Sequence, residues 1–536
     1  MVPMAAEDGL GKARAFRMTE RMELLGQDKE AFRAETSEVS TEEGAATASA
    51  AKRYRAIDRS QIMIRPVDVE KLVEEDHAVR AIWAMVCQLD LSRYEQNVKV
   101  MEGGKGRSRS DPRLLAALWI YAYSEAVSSA RELSRMCSYE PGCQWLTGLQ
   151  EVNYHTLSDF RKSDKEALDG LFVQVLGVLS AEGLTDLKRV MQDGTKIKAQ
   201  ASRDSFRREE TLREHLKLAQ EQVEAMGDPD SEELSRRAIQ ARQRAIRETK
   251  ERLEQALKEL EDIEKKRQAA EKAARVSQSE STARVMKQAD GGFAPSYNVQ
   301  ICTEASHKII VAVDTTQAGT DYDQLENGMN GIEANMGQAP GQMVVDGGYI
   351  KNSNIERAAE RGVELIGPTA EKNPEALLKQ RGIGPEFYPS QFRYDEGANT
   401  LTCPAEKILT LKRTCQRRAG VTEYYYQAKR LDCANCRFQS QCCPKASPRI
   451  IMRKQDSETV RTFRAKMQTE QARQIYRTRS QVAEFPNAWI KEKLGLRKFR
   501  LRGLRKAGME AVWCCLTYNI QQWIRLSWMP KLATAA

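Results

Sequence analysis

The chain lacks the features that would direct it into or across a membrane. Its N-terminus has no apolar run that could act as a signal peptide, and no stretch of the 536 residues is long enough to span a bilayer. We therefore expect a cytoplasmic protein, in which the twelve cysteines do not form disulfides. Three of them, Cys87, Cys514 and Cys515, stand among apolar residues, which predicts core positions.

The sequence also lacks the signatures of two other nucleotide-binding classes. It contains no aromatic RNA-binding motif of the kind that stacks on bases. The glycines between Gly103 and Gly106 precede a basic turn, not a helix that follows a strand, so they do not indicate a phosphate-binding loop. A role in translation or RNA processing is therefore disfavoured.

Positive charge is present but concentrated near the C-terminus. Residues 445–506 contain eighteen Lys and Arg against five Asp and Glu, whereas the whole chain carries a net charge of +9. Within this segment the run YRTRSQVAEFPNAWIK holds Tyr476, Arg479, Glu484 and Lys491. A lone acid in such a setting is ordinarily a solvated helix residue, but it can instead hold a divalent metal where a DNA backbone lies on Lys and Arg. The choice depends on partner carboxylates upstream.

Two upstream segments supply such carboxylates. LKRVMQDGTKIK, residues 187–198, predicts a short strand with Asp193 near its end, and QMVVDGGYI, residues 342–350, predicts a buried strand that stops at Asp346. The glycine after each Asp permits a tight turn or the close approach of a ligand. An Asp-Gly pair after a strand is usually an ordinary turn, so the elements around the two acids decide its meaning.

Those elements follow a recognisable order. Residues 297–305 and 308–317 predict two further strands, 321–335 a helix, 352–361 another helix and 363–368 a last strand. Strand, strand, strand, helix, strand, helix, strand is the order of the ribonuclease-H-like α/β fold. In that fold, a mixed sheet flanked by helices, carboxylates from the first and fourth strands and from a later helix converge.

At this point the chain resembles a family. DGTKIKAQAS with Asp193, YNVQ at residues 297–300, VVDGGY with Asp346 and the late Tyr, Arg, Glu, Lys series are similar to the DDE transposases of bacterial insertion sequences. More narrowly, they resemble the IS-four-like branch, whose third acid lies in a Tyr-x2-Arg-x3-Glu-x6-Lys signature. The resemblance covers roughly residue 54 to the end. Four residues, not three, separate Arg479 from Glu484.

That extra residue leaves two alternatives open. Arg477, seven residues before Glu484, could present its guanidinium on the same helix face in place of Arg479, although Pro486 is expected to kink or restart the helix there. Glu510 is the reserve candidate for the third acid, although its apolar neighbours indicate a helix at the edge of a core.

The resemblance implies a mechanism and a set of partners. Asp193, Asp346 and Glu484 would hold two Mg²⁺ ions, for which Mn²⁺ could substitute, and water followed by the freed 3′-hydroxyl would attack DNA there. Lys491 and one of the two arginines would contact phosphates, while Tyr476 orients a displaced nucleotide. The partners would be the element's terminal inverted repeats and target DNA, with a homodimer holding two ends in the bacterial cytoplasm, at the nucleoid.

Two other functions compete with that one. A metal-dependent nuclease on the same fold would cut DNA without joining it. A zinc-containing DNA-binding protein with vestigial acids would bind DNA without cutting it.

Cysteines between the second and third acids carry a separate signal. A C-x2-C pair with two further cysteines at a suitable distance is typical of zinc-ribbon-like sites. We expect a structural Zn²⁺ with the ligands Cys403, Cys433, Cys436 and Cys442. Cys443 could replace Cys442, and Cys415 could replace Cys403. The alternative is a set of unligated thiols on a loop-rich insertion.

These interpretations divide the chain into parts. Residues 1–53 have the Ser, Thr, Ala and Glu composition of a disordered arm. Residues 205–275 carry apolar residues at four-three and seven-residue spacings, which predicts a coiled-coil hairpin. The remaining predicted parts are a helical domain at 54–186 that binds DNA ends or serves oligomerisation, a catalytic core at 187–204 and 276–370, a zinc-ribbon-like insertion at 371–450, and a basic helical part with the third acid at 451–536.

Overall fold

Helices and strands are mixed along the chain, as the sequence predicts for an α/β protein. The computed structural model describes residues 64, 66–96, 109–224, 236–266, 273–368, 374–416, 422–444 and 448–535. The predicted arm at 1–53 lies outside the described residues. All elements below belong to the unit from Val67 to Ala536.

The strands are β1 (Arg189–Lys198), β2 (Phe206–Arg207), β3 (Val276–Ser277), β4 (Arg284–Lys287), β5 (Phe293–Glu304), β6 (Ile310–Thr316), β7 (Gln342–Val344), β8 (Glu364–Ile366), β9 (Arg393–Asp395), β10 (Thr400–Thr402), β11 (Ile408–Gln416), β12 (Thr422–Ala428) and β13 (Ile450–Gln455). The helices before β5 are α1 (Ala78–Val86), α2 (Ser92–Glu95), α3 (Pro112–Ser124), α4 (Ala130–Tyr139), α5 (Pro141–Thr147), α6 (Tyr154–Lys162), α7 (Lys165–Ala181), α8 (Glu209–Glu224) and α9 (Arg236–Lys266). The later helices are α10 (Leu325–Met336), α11 (Asn352–Glu360), α12 (Pro374–Gln380), α13 (Arg430–Ala434), α14 (Gln439–Cys442), α15 (Glu458–Met467), α16 (Glu470–Arg477), α17 (Phe485–Glu492), α18 (Leu504–Trp523) and α19 (Met529–Ala535).

The strands around the two predicted acids form a six-stranded mixed sheet. Its order is β4-β5-β1-β7-β8, with β6 also paired to β5. β5 runs antiparallel to β1, whereas β7 runs parallel to both β1 and β8. The prediction that Asp193 lies near the end of a short strand is wrong. β1 continues to Lys198, because the long partner β5 extends the hydrogen-bonded ladder as far as Ser296.

Helix α18 joins this sheet to the N-terminal helices. It is buried on all sides, as a helix at the centre of a core must be. Asn519 fixes it to β6, since its amide accepts from the Ile310 N–H at 2.9 Å and donates to the Ile310 carbonyl at 2.8 Å. On the other side, the Trp513 indole donates to the carbonyl of Arg161 in α6 at 3.2 Å. Helices α1 to α7 and the sheet therefore share one hydrophobic core.

The core predictions for isolated cysteines are partly confirmed. Cys514 and Cys515 are buried in α18, but Cys87 is exposed. Cys87 follows the last turn of α1, where it has left the buried stripe of the helix. None of the described helices combines the length and the apolar character needed to cross a bilayer.

Helices α8 and α9 pack on each other beside the main sheet. Leu212, Leu253 and Leu260 form their shared core, each at most 4% exposed. Strands β2 and β3 pair antiparallel at the base and hold the two ends of this insertion together. The turn predicted at residues 227–230 lies outside the described part of the chain.

A second, five-stranded antiparallel sheet carries the cysteine-rich segment. Its order is β13-β12-β11-β10-β9, and Leu409 and Tyr426 are fully buried in its own small core. None of these strands was predicted, because the segment shows no sustained alternation of apolar and polar residues. The predicted boundary at 450 falls at the first residue of β13, which pairs with β12 and so belongs to this sheet.

Candidate active site

Asp193 lies in the middle of β1 and faces the helices that follow the second sheet. Its side chain is 20% exposed. The Asn487 amide in α17 donates to Oδ2 at 2.8 Å, and Nη1 of Arg479 lies 3.4 Å from Oδ1. The first predicted acid therefore meets two side chains almost three hundred positions later in the sequence.

Arg479 also meets the predicted third acid. Its Nη2 lies 3.8 Å from Oε1 of Glu484, whose side chain is 60% exposed. Residues Ser480–Glu484 form a π-helical turn, in which backbone bonds span five residues instead of four. The turn absorbs the extra residue found in the sequence, so Arg479 and Glu484 face each other despite the longer spacing. Pro486 lies in the first turn of α17, where its missing N–H costs nothing, so the helix restarts there.

Asp346 follows β7, the parallel neighbour of β1. Its Oδ1 accepts from the N–H of Gly348 at 2.7 Å, which closes a local turn. A Cβ at Gly348 would lie 2.9 Å from that oxygen, so the turn requires glycine. The parallel pairing of β1 and β7 brings Asp346 close enough for its charge to act on Asp193.

The pKa of Asp193 depends on the charged side chains that lie around it. Burial raises the pKa of Asp193 to about 6. The Arg479 guanidinium and the Asn487 amide lower that pKa, whereas the charges of Asp346 and Asp321 raise it further. The structure thus brings the first two predicted acids into one electrostatic group, and Arg479 connects Asp193 to Glu484.

Two polar residues at this site were not predicted. Asn487 lies three residues after Glu484, one helical turn further along α17. Asp321 is held by the amides of Asn298 and Gln300, which donate to its Oδ1 at 2.8 and 2.7 Å. The alternation of Asn298 and Gln300 in YNVQ indicates one polar face of β5 and is the signal that could have located Asp321.

The other predicted contacts separate into two groups. Tyr476 is half-buried and close enough to Arg479 to raise the pKa of that guanidinium, and Lys491 is half-buried near Asp193. Burial lowers the pKa of Lys491, and the charge of Asp193 opposes that shift. Arg477 instead points away from Asp193, since it is 71% exposed and pairs with Glu470 at 3.3 Å. The structure therefore places Arg479, not Arg477, beside the acids.

Glu510, the reserve third acid, is fully buried in α18. Its carboxylate accepts from the backbone N–H groups of Arg500 and Leu501 at 2.9 and 3.0 Å. Burial raises the pKa of Glu510, and the Arg161 charge opposes the shift. These contacts tie the segment before α18 to the helix, away from Asp193.

Five of the cysteines surround a small cavity at one edge of the second sheet. Its volume is about 30 Å³, and its cysteine lining consists of Cys403, Cys433, Cys436, Cys442 and Cys443. Burial raises the pKa of the Cys442 thiol, and Cys433 and Cys403 act in the same direction. Cys415 does not line the cavity, because it stands on β11 opposite Glu423.

Neither set of side chains is arranged as a formed metal site. Among the described residues, no group of three or more His, Cys, Asp or Glu side chains could hold a metal ion as it stands. The acids do not form a metal site as they stand, because the Arg479 guanidinium lies between Asp193 and Glu484. The metal ligands named from the sequence stay predictions.

Comparisons with known proteins add independent information. Residues 402–524 match a family described as transposase DDE domain, and residues 67–163 match one described as transposase domain (DUF772). The first match contains Glu484, whereas Asp193 and Asp346 lie outside both. No curated protein matches the chain.

Among solved structures, the cryo-EM structure of a piggyBac transposase synaptic complex with hairpin DNA is 9% identical. The alignment covers 86% of this chain and 81% of that chain, with a TM-score of 0.23, which is too low to carry an argument about the fold. The two family models support a DDE transposase.

Proposed function

We propose that this chain is an insertion-sequence transposase that cleaves DNA ends and joins them to target DNA. The catalytic core would be ribonuclease-H-like. The order β6-β5-β1-β7-β8, with β5 antiparallel to β1 and with β7 and β8 parallel to it, supports that assignment. The observation that carries the proposal is the guanidinium of Arg479, which contacts Asp193 on β1 and Glu484 beyond the second sheet.

In this proposal the acids come from three separate elements. Asp193 lies on β1, Asp346 follows the neighbouring parallel strand β7, and Glu484 ends the π-helical turn. Asn487 fixes one oxygen of Asp193, so the other is oriented toward Arg479. Such fixed orientation is what a phosphoryl-transfer site requires, because it must not reorganise during the reaction.

The donor set fits Mg²⁺, or Mn²⁺ in its place, because hard cations prefer carboxylate oxygens. Asp193, Asp346 and Glu484 would hold the ions, and Arg479 would leave the space between Asp193 and Glu484. The amide oxygen of Asn487 is buried and has no hydrogen-bond partner among the described residues, which leaves one more oxygen donor beside Asp193. When bound, the ions supply activation of the attacking oxygen and stabilisation of the leaving oxygen.

The protein's own cations have distinct roles in the reaction. Released from the acids, Arg479 would contact the phosphate that is cut, beside the neighbouring Tyr476. Lys491 is close enough to Asp193 to neutralise a neighbouring phosphate. Tyr476 would orient a displaced nucleotide from its half-buried position.

Three substitutions test the active site. Asp193→Asn, Asp346→Asn and Glu484→Gln are each expected to abolish Mg²⁺-dependent nicking of a plasmid that carries the gene with its flanking DNA. If all three proteins still nick that plasmid at the wild-type rate, the active site is wrong. An assay with precleaved ends then separates the candidates, since a nuclease gives no joined product. DNA binding without any cutting by wild-type protein would favour the vestigial DNA-binding protein.

Other parts of the chain would serve the same reaction. Helices within residues 67–163 would bind the element's terminal repeats, and a homodimer would hold two ends. The cavity lined by cysteines would hold a structural Zn²⁺, which requires deprotonated thiols at tetrahedral spacing. All four cysteines predicted as ligands line this one small cavity, which supports the zinc proposal.

A further inference from the structure

A cationic cavity opens directly beside Asp193. It has a volume of about 580 Å³, and its lining includes Gly194, which follows Asp193 in β1, and Lys491 from α17. The cations that line it, here called the basic groove, are Lys196, Lys198, Lys287, Lys491, Arg497 and Lys498. Only Lys491 among them belongs to the candidate active site described above.

The fold gathers these cations from three separate segments. Lys196 and Lys198 are alternate residues of β1 and so share one face of the strand. Lys287 is the last residue of β4, which is separated from β1 by β5, the strand with which both pair. The segment before α18 completes the groove, because the Phe499 N–H donates to the Lys198 carbonyl at 2.9 Å and so aligns Lys498 with β1.

Little negative charge compensates this cluster. Asp290 carries the one carboxylate among the described lining residues. Arg497 pairs with Glu492, but Lys196, Lys198, Lys287 and Lys498 form no ion pair with any described residue. Clustered like charges repel one another and destabilise the folded protein, so their concentration in one cavity points to an anionic ligand.

The groove is larger than a single small anion requires. A second cavity of about 270 Å³ shares Lys198 and Lys498 with it and continues to Arg203. The two cavities thus follow β1 from Gly194 and Lys491 to Arg203, past the end of the strand. An extended group of lysine and arginine side chains fits the phosphate backbone of a nucleic acid strand.

We propose that the basic groove binds the DNA strand that continues from the phosphate at Asp193. This inference rests on the proposed function and deepens it. The groove gives affinity and direction without reading sequence, since Lys and Arg contacts to phosphates carry no base information. DNA bound there would lie beside the acids, because Lys491 lines the groove and is close enough to Asp193 for their charges to interact.

Measurement of DNA binding at several salt concentrations tests the groove. The groove variant carries Lys196→Gln, Lys287→Gln and Lys498→Gln. The matched control, Lys188→Gln, Lys258→Gln and Lys412→Gln, removes the same charge from exposed lysines outside the groove. Fluorescence anisotropy with a labelled duplex, in EDTA to prevent cutting, is repeated between about 50 and 200 mM NaCl.

The groove variant is expected to bind at least about tenfold more weakly than the control, and its slope of log K against log salt should be smaller by about 2 to 3. Both variants should melt within about 2 °C of wild type, because five of the six lysines are exposed and the half-buried Lys196 forms no ion pair with any described residue. If the groove and control variants show equal slopes of log K against log salt, the groove does not bind DNA. This outcome overturns the inference even if nicking still requires Asp193. If Asp193→Asn protein still nicks DNA at the wild-type rate, the proposed function is overturned instead, whatever the slopes are.

Discussion

Arg479 and Glu484 face each other across a π-helical turn, with Nη2 of the arginine 3.8 Å from Oε1 of the acid. Five residues of sequence separation would place them on different faces of an ordinary α-helix. The wider turn restores a common face. π-helical turns arise from single inserted residues and are frequent at functional sites. The residue that lengthens the signature spacing therefore also explains why Arg479 and Glu484 face each other.

Deletion of Gln481 tests this account of the extra residue. Gln481 is exposed within the turn, so its loss removes no buried side chain. The remaining spacing is that of an α-helix, which also places the arginine and the acid on one face. We expect Mg²⁺-dependent nicking to stay within about tenfold of wild type, measured on the plasmid with flanking DNA.

Insertion of one alanine after Gln481 is the opposite control. The insertion adds one more residue between Arg479 and Glu484, so the two side chains no longer share a helix face. We expect nicking to slow by about a hundredfold or more, the usual cost of misplacement at a catalytic centre. Equal losses in the deletion and insertion variants would mean that the π-helical turn is needed for some other reason.

The two arginines of the segment provide a matched pair. Arg479 is 16% exposed and contacts Asp193, whereas Arg477 is 71% exposed and pairs with Glu470 on its own helix. Arg479→Gln is expected to slow nicking by about 10² to 10³, the usual cost of one lost charge-stabilising donor. Arg477→Gln should stay within about twofold, because an exposed ion pair contributes little. A larger loss for Arg477→Gln would reverse the assignment.

Much of the site could be predicted from sequence because its chemistry is local. Asp193 and Asp346 each stand in an apolar run followed by glycine, and Glu484 is an acid within a basic segment. These signals depend only on neighbouring residues. The order of strands and helices follows from periodicity, which is also local.

The remaining features depend on contacts between distant segments. In the sequence Asn487 is an ordinary polar helix residue, and its role depends on the packing of α17 against β1. Asp321 likewise can be assigned to the site only once β5 is known to lie beside β1. The length of β1 was underestimated for the same reason, since its end is set by pairing with β5. The burial of Glu510 follows from α18 being enclosed by helices and sheet together.

The third acid can be distinguished from its reserve by paired alanine substitutions. Glu484→Ala should slow nicking by more than about a hundredfold. Its stability should stay within about 0.5 kcal/mol, since the side chain is 60% exposed. Glu510→Ala should lose about 2 to 4 kcal/mol of unfolding free energy, because it leaves two backbone N–H groups unpaired and opens a cavity. Both quantities are measured on the same preparations by urea unfolding and nicking.

Folded Glu510→Ala protein should still nick DNA at the wild-type rate per native molecule. A stable Glu510→Ala protein without activity, beside an active Glu484→Ala protein, would identify Glu510 as the catalytic acid.

The cysteine cavity predicts a metal content. Purified wild-type protein should contain about one equivalent of zinc, and Cys433→Ser combined with Cys442→Ser should contain less than about half an equivalent. Cys87→Ser is the control, because Cys87 is exposed and distant from the cavity lining. Less than about half an equivalent in wild type would reject the zinc proposal and favour unligated thiols.

Stability against pH tests the burial of Asp193 without any metal. The pKa of Asp193 is raised to about 6, above its unfolded value of 3.8, so the native state binds this proton more tightly than the unfolded state. The contribution of Asp193 to stability therefore falls as the pH rises from about 4 to about 6, and its full cost, about 3 kcal/mol, is present above pH 6. Asp193→Asn keeps the shape of the neutral acid and removes this cost.

In EDTA, urea unfolding at pH 8 should show Asp193→Asn to be more stable than wild type by up to about 3 kcal/mol, and the difference should vanish near pH 4. A pH-independent difference would mean that the substitution acts through packing and not through the proton. Lower stability of Asp193→Asn at pH 8 would mean that the ion pair with Arg479 outweighs burial, and that the carboxylate is already well stabilised before any cation binds.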